Sequence, residues 1–189
     1  MAIVKLAKDG YGQLELNQVA FRRDGRIEAQ CKLNATEFPA GATAIGDVAE
    51  NGMLFEIDNV NRELSKATSS SVLVGLNYSA EHMYDERKPG LKNFYLAGDD
   101  VYPRLGLLDV GDKFHTNTVC YDEDALKDEE AIEEAIETGL YATIASDGSG
   151  YWELVEAEEE GAEGLLAQVL ALTTMPDGQP GVKLQVIRV

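Results

Sequence analysis

Apolar and polar residues alternate along this chain in short runs broken by turn residues, a pattern that predicts strands over most of its length. Ala2 to Ala7 opens as a strand, and Asp9-Gly10 with Gly12 marks a turn. Leu14 and Leu16 then share one phase and Val19 and Phe21 the other, which predicts a bulge. Arg23-Asp24-Gly25 is a hairpin signal leading into Ile27, Ala29, Cys31 and Leu33, four apolar positions on one face of a strand. Residues 34–52 are rich in turn formers (Pro39, Gly41, Gly46, Asn51-Gly52). Met53 to Val60 reads as a strand turned by Asn59–Asn61, and the apolar run Ser71 to Tyr78 as a well-buried one.

Ser79 to Gly90 suits one or two helical turns, capped by Ser79 and stopped by Pro89-Gly90, whereas Leu91 to Gly106 has no decisive period. Gly111 to Asp122 reads as a turn entering a β-branched and aromatic strand. Asp122 is a suitable cap for a helix over residues 123–138 that ends at Gly139. Its stripe of Tyr121, Ala125, Ile132 and Ile136 is narrow and the rest is mostly acid, so it belongs on the surface. Strands return as a hairpin around Asp147-Gly148-Ser149-Gly150, a run from Leu165 to Met175, and a last strand after Pro176-Asp177-Gly178. The expected fold is mainly β (α+β), in small sandwich or barrel-like modules with one acidic surface helix near residues 123–138.

Charge divides the chain more sharply than pattern does. Residues 1–75 carry eight Lys/Arg against ten Asp/Glu, a net of -2; residues 76–189 carry eight against twenty-four, a net of -16, which together give the total of -18. The expected organisation is therefore a near-neutral β region, 1–75, joined to an acidic β-rich region, 76–189, by the stretch Leu76–Asp124. That stretch holds both histidines, Cys120 and half of the aromatic residues. So negative a field repels phosphate backbones and argues against direct nucleic-acid binding. The sequence lacks the run of about 20 apolar residues that a membrane helix needs. Met1 to Gly10 has no signal-peptide pattern, and synthesis in a cytoplasm is expected. Cys31 and Cys120 lack metal or redox spacing and read as buried thiols.

Each candidate for chemistry has a plainer explanation. His115 and Cys120 lie five residues apart on one expected strand, so a regular strand points them to opposite faces. His82 has no sequence link to either. Asp99-Asp100, Asp109 with Asp112, and Asp122-Glu123-Asp124 match no calcium loop and suit turns and caps. Gly10/Gly12 and Gly148/Gly150 lack the strand-to-helix setting of a phosphate loop. Tyr151-Trp152 reads as one core anchor beside one surface residue. Paired carboxylates of a glycosidase depend on a spatial separation that no sequence pair indicates. No catalytic, cofactor-binding or metal-binding residue is assigned, and the expectation is a protein that is not an enzyme.

Three stretches carry a resemblance. They are Tyr78-Ser79-Ala80-Glu81 with the residues to Leu96; Tyr102-Pro103-Arg104 through Gly111-Asp112 and Thr116-Asn117; and the Pro176-Asp177-Gly178 turn with its strand. With the strand that follows Asn51, they resemble a group of little-characterised proteins of tailed bacteriophages, chiefly of Gram-positive hosts, usually encoded near the major capsid protein. The resemblance implies a virion structural role: a capsid decoration or head accessory protein on the head surface, bound to the major capsid protein, and with the charge partition the expected docking part is the near-neutral region 1–75. It also fits a homo-oligomer, such as a trimer at lattice symmetry axes. A tail or connector protein and an acidic DNA mimic that inhibits a host nuclease or defence protein are the alternatives.

Overall fold

The structure is a computed structural model and describes residues 3–19, 27–79, 90–156 and 164–189. Among these, the strands in chain order are β1 (Ile3–Lys5), β2 (Ile27–Glu28), β3 (Lys32–Leu33), β4 (Ala49–Glu50), β5 (Leu54–Asp58), β6 (Glu63–Lys66), β7 (Val74–Asn77), β8 (Tyr95–Leu96) and β9 (Leu105–Leu107). Then come β10 (Lys113–Thr116), β11 (Val119–Asp122), the helix α1 (Glu129–Thr138), β12 (Tyr141–Ile144), β13 (Trp152–Val155), β14 (Leu166–Thr174) and β15 (Pro180–Arg188). The fold is mainly β with one short helix, in agreement with the α+β expectation.

One sheet has seven strands in the order β1-β11-β13-β12-β14-β15-β10. The run Lys113 to Asp122 supplies both β10 and β11: its first half pairs antiparallel with β15 and its second half parallel with β13. A single bent segment therefore touches both ends of the sheet, which curls back on itself. Residues 3–15 run antiparallel beside it, from Ile3 opposite Asp122 to the Leu14–Thr116 bridge. The curl encloses a core of Leu14, Phe114, Val119, Trp152, Val182 and Leu184, with Phe114 and Trp152 rings 5.5 Å apart.

A second sheet has six strands in the order β2-β9-β7-β5-β6-β3, over a core that includes Leu33, Phe38, Phe55, Leu64 and Leu105. β4 and β8 form a small ribbon. The charge boundary is not a boundary between sheets. β1, from the near-neutral part, joins the seven-stranded sheet, and β9, from the acidic part, inserts between β2 and β7.

Several elements differ from the sequence expectation for identifiable reasons. Residues 27–33 form two short strands, because the Glu28 carboxylate accepts the N–H groups of Gln30 and Cys31 and turns the chain between them. Ile27 is consequently exposed while Cys31 and Leu33 are buried. Leu16–Gln18 is a turn of 3₁₀ helix where a bulged strand was expected. Asp122 caps a separate turn, accepting from Ala125 and Leu126 through its carbonyl. Leu126 is buried there, and α1 starts afresh at Glu129, where the Asp128 side chain accepts the Ala131 N–H at 2.9 Å. Gly139, left-handed at φ 110°, closes the helix as expected. Ile132 is buried and Ile136 partly so, whereas Tyr121 lies on β11 and Ala125 is exposed in the turn before the helix, so only the second half of the expected stripe belongs to the helix. The Ser71 to Tyr78 run is buried only from Gly75, and Val72 stands out into solvent. The expected hairpin at Arg23-Asp24-Gly25 and nearly all of the expected helix from Ser79 to Gly90 lie outside the described residues.

Candidate functional site

The polar chemistry of the molecule gathers where the two sheets meet. Glu50, at the end of β4, is 1% exposed although charged, and burying a carboxylate requires that its oxygens be satisfied. Its Oε2 accepts the Gly12 backbone N–H and its Oε1 accepts the Tyr151 hydroxyl. The Lys5 ammonium lies 3.5 Å from Oε1, donates to the Tyr151 hydroxyl, and sits 4.1 Å from the Tyr151 ring centroid. The Glu50 backbone carbonyl takes the Asn77 side-chain amide at 2.8 Å. The Glu50 carboxylate thus ties together β1, the loop before Gln13 and the residue that leads into β13, and its backbone carbonyl adds the end of β7.

Beside it, the bend between β10 and β11 is stitched to the same loops. Thr116 Oγ1 donates to Gln13 O at 2.7 Å, Gln13 N donates to Asn117 Oδ1 at 2.7 Å, and Thr118 Oγ1 donates to Asn51 O. Gln13 Nε2 continues to Asp177 Oδ2 at 2.9 Å, reaching the Pro176-Asp177-Gly178 turn. Gly52, at φ +87°, packs so close that an added Cβ would lie 2.5 Å from Thr116 Oγ1 and 2.6 Å from Thr118 Oγ1. Only glycine fits there.

The electrostatics of this junction are those of a structural lock. Burial, reinforced by Glu50, pushes the Tyr151 phenol far above its ordinary range. Burial, with Asp147 and Glu153 adding to it, does the same to the Cys120 thiol. Neither group supplies a nucleophile near neutral pH. Burial lowers the Lys5 ammonium from its ordinary value, opposed by Glu50.

The sequence candidates are scattered. His115, on β10, is partly buried beside Lys183 and Glu15, and burial lowers its pKa. Cys120, on β11, faces a different set of neighbours around Lys5 and Tyr151. His82 lies outside the described residues. Asp99 and Asp100 are exposed, and Asp109 and Asp112 close a turn in which Asp109 N donates to Asp112 Oδ2 at 2.7 Å. Asp147 accepts from Ser149 N at 2.8 Å within its own turn. Gly12 serves Glu50 and no phosphate loop. Tyr151 and Trp152 are both buried, which corrects the expectation that one of them faces solvent. Among the described residues no group of three or more His, Cys, Asp and Glu is placed to hold a metal ion. No helix among them is long and apolar enough to cross a membrane.

Sequence reasoning missed Glu50 altogether, because its partners are 38, 45 and 101 positions away. The available signal was a lone Glu directly after Val48-Ala49, apolar residues that are both fully buried.

The motif pieces from the sequence also meet in space. Arg104 N donates to Ser79 Oγ at 2.7 Å and Tyr78 N donates to Arg104 O at 3.0 Å, joining the Tyr78-Ser79 piece to Tyr102-Pro103-Arg104. Gly111 N donates to Val186 O at 2.7 Å and Val186 N to Asp112 O at 2.9 Å, fastening Gly111-Asp112 to the last strand. Thr116-Asn117 reaches the Pro176-Asp177-Gly178 turn through Gln13. These residues build the fold. No known protein family, no curated protein and no solved structure matches the chain.

Proposed function

We propose that this chain is a structural protein of a tailed-phage virion, a decoration or accessory protein that binds the lattice of the major capsid protein on the outside of the head. The observation that carries the reading is that its motif residues join one another across the fold and to the last strand, so what resembles the phage proteins is a framework and not a reaction centre. The junction around Glu50 supports it as well: its phenol and thiol are held protonated in the interior, and its ions are spent on one another. In this reading the protein acts as a homo-oligomer, such as a trimer at a lattice axis. Its acidic helix then faces solvent and discourages head-to-head association by repulsion.

Heads that lack the chain test this. Added protein should co-sediment with them in a saturable ratio set by the lattice, and binding should survive high salt. Failure to bind would end the proposal.

The exposed acids of α1, with Glu129, Glu130, Glu133, Glu134 and Glu137 on one ten-residue helix, favour a second reading, an acidic mimic of DNA. That reading requires competition with duplex DNA for a basic partner and a steep loss of binding in salt. A tail or connector location is separated from both by labelling intact particles.

A further inference from the structure

An apolar cleft of about 330 Å³ opens where the start of β7 meets the strand ends of the seven-stranded sheet. Its floor is Leu108 and Leu165, 4% and 5% exposed, and Leu73 and Val74 form a half-buried wall. Two valines at the rim are left in water: Val72 is 95% exposed and Val189 60%. The volume is at the small end of ligand pockets, enough for one or two large apolar side chains. The patch therefore carries a hole and, beside it, apolar side chains of a size to enter one. A foreign partner would have to supply a second hole for Val72 and a second side chain for the cleft. A second copy of the chain brings both, and such a contact closes on itself around a symmetry axis.

Charge points to the same occupant. None of the described residues that line the cleft is charged, although the chain holds 34 Asp and Glu. In a symmetric contact like surfaces meet near the axis, so a carboxylate there would face its own copy, and this lining has none. The rim beyond it carries both signs. Glu56 accepts from Ser71 Oγ at 3.0 Å, Asp109 follows Leu108, and Arg188 Nε donates to the Gly164 carbonyl at 3.0 Å. An apolar centre inside a polar rim of mixed sign is the usual anatomy of a protein interface. The acids at the start of α1 are held away from it. Glu129 and Glu133 stand beside Thr173 and Thr174 at the hairpin end of β14, whereas Leu165 and Val189 mark the open end. β14 has nine residues, which puts roughly 27 Å between its two ends. That is several times the screening length of about 8 Å at physiological salt, so these acids scarcely oppose a contact at the open end. We propose that this patch is the surface through which copies of the chain associate, with Val72 of one copy entering the cleft of another. It gives the homo-oligomer proposed above its contact surface, and only the use of that assembly on a capsid rests on the earlier reading.

Sedimentation velocity of the full chain over a concentration series, at low and at high salt, tests this. The expected result is a reversible, concentration-dependent assembly that high salt leaves intact or strengthens, because screening removes repulsion between acidic copies without weakening apolar burial. Val72→Asp should raise the dissociation constant at least about tenfold, since the contact would then bury an unpaired carboxylate. Val60→Asp makes the same charge change at a residue 91% exposed in the β5–β6 turn and should leave assembly unaltered. Val72 is so exposed that thermal unfolding of the dilute Val72→Asp protein should match wild type, and Val189→Asp, at the other rim valine, should weaken assembly in the same direction. A chain that stays monomeric at every concentration, an assembly that Val72→Asp leaves intact, or one that Val60→Asp disrupts equally would overturn the proposal. So would an assembly that dissolves in high salt, since charge would then be what holds it. Binding to heads separates this proposal from the capsid reading. Assembly through Val72 in a protein that ignores heads upholds the patch and ends the capsid reading. Saturable binding to heads by a strictly monomeric protein ends the patch and leaves the capsid reading standing.

Discussion

Removing the Glu50 carboxylate should cost more stability than removing its charged partner, and the geometry says by how much. Glu50→Ala leaves the Tyr151 hydroxyl, the Gly12 N–H and the Lys5 ammonium without their acceptor. Tyr151 is 3% exposed and Gly12 is buried, so two donors stay dry, at roughly 1–3 kcal/mol each. The Lys5 side chain is 32% exposed and reaches water, which limits its share. The two dry donors put the expected loss at about 2–6 kcal/mol, or on the order of 10 °C in Tm for a chain of this size. Lys5→Met should cost only about 1–2 kcal/mol, because Gly12 and Tyr151 still hold the carboxylate. Urea unfolding followed by fluorescence of the buried Trp152 gives both values, and the double variant gives their coupling. A Glu50→Ala protein within about 0.5 kcal/mol of wild type, or a Lys5→Met protein less stable than Glu50→Ala, would refute the account of the junction.

Three further outcomes follow from single contacts. The Cys120 thiol and the Tyr151 phenol have pKa values raised by folding above ordinary values of 9.0 and 10.0, so the stability they contribute is complete below those values and declines as pH rises past them. Thermal unfolding should therefore show Tm falling from about pH 9, and Cys120→Val should flatten the part of the fall between pH 9 and 10. Asp128→Ala removes the acceptor for the Ala131 N–H and should cost about 1 kcal/mol in urea unfolding, whereas Asp122→Ala should leave α1 intact by amide exchange. Gly52→Ala forces a side chain into the left-handed region and against Thr116 and Thr118, at roughly 2–5 kcal/mol in the same unfolding assay.

What the sequence made legible was local. The β12–β13 hairpin, β14 and β15 each bury one face and flank a turn with a left-handed glycine, Gly148 or Gly178, so alternation and turn chemistry agree. Alternation failed at residues 27–33 because it counts apolar positions and cannot see the Glu28 side chain capturing two backbone N–H groups. The helix start was misplaced because Asp122 and Asp128 are both sound caps, and the burial of Leu126 between them decides which one serves the helix. The charge boundary near residue 75 is real in the sequence, yet β1 and β9 cross it, because strand pairing over long separations obeys packing and not composition. The junction was hidden for the same reason. Glu50 reads as a solvated acid until Gly12, Lys5 and Tyr151 are brought to it from three other parts of the chain.

The most direct test of the proposed role is to purify the particles produced by the source of this gene and examine them by mass spectrometry and imaging. A decoration protein of the capsid should be present in hundreds of copies per particle, as regular density on the outer face of the head. Its absence from particles, or a few copies confined to the tail, would contradict the account.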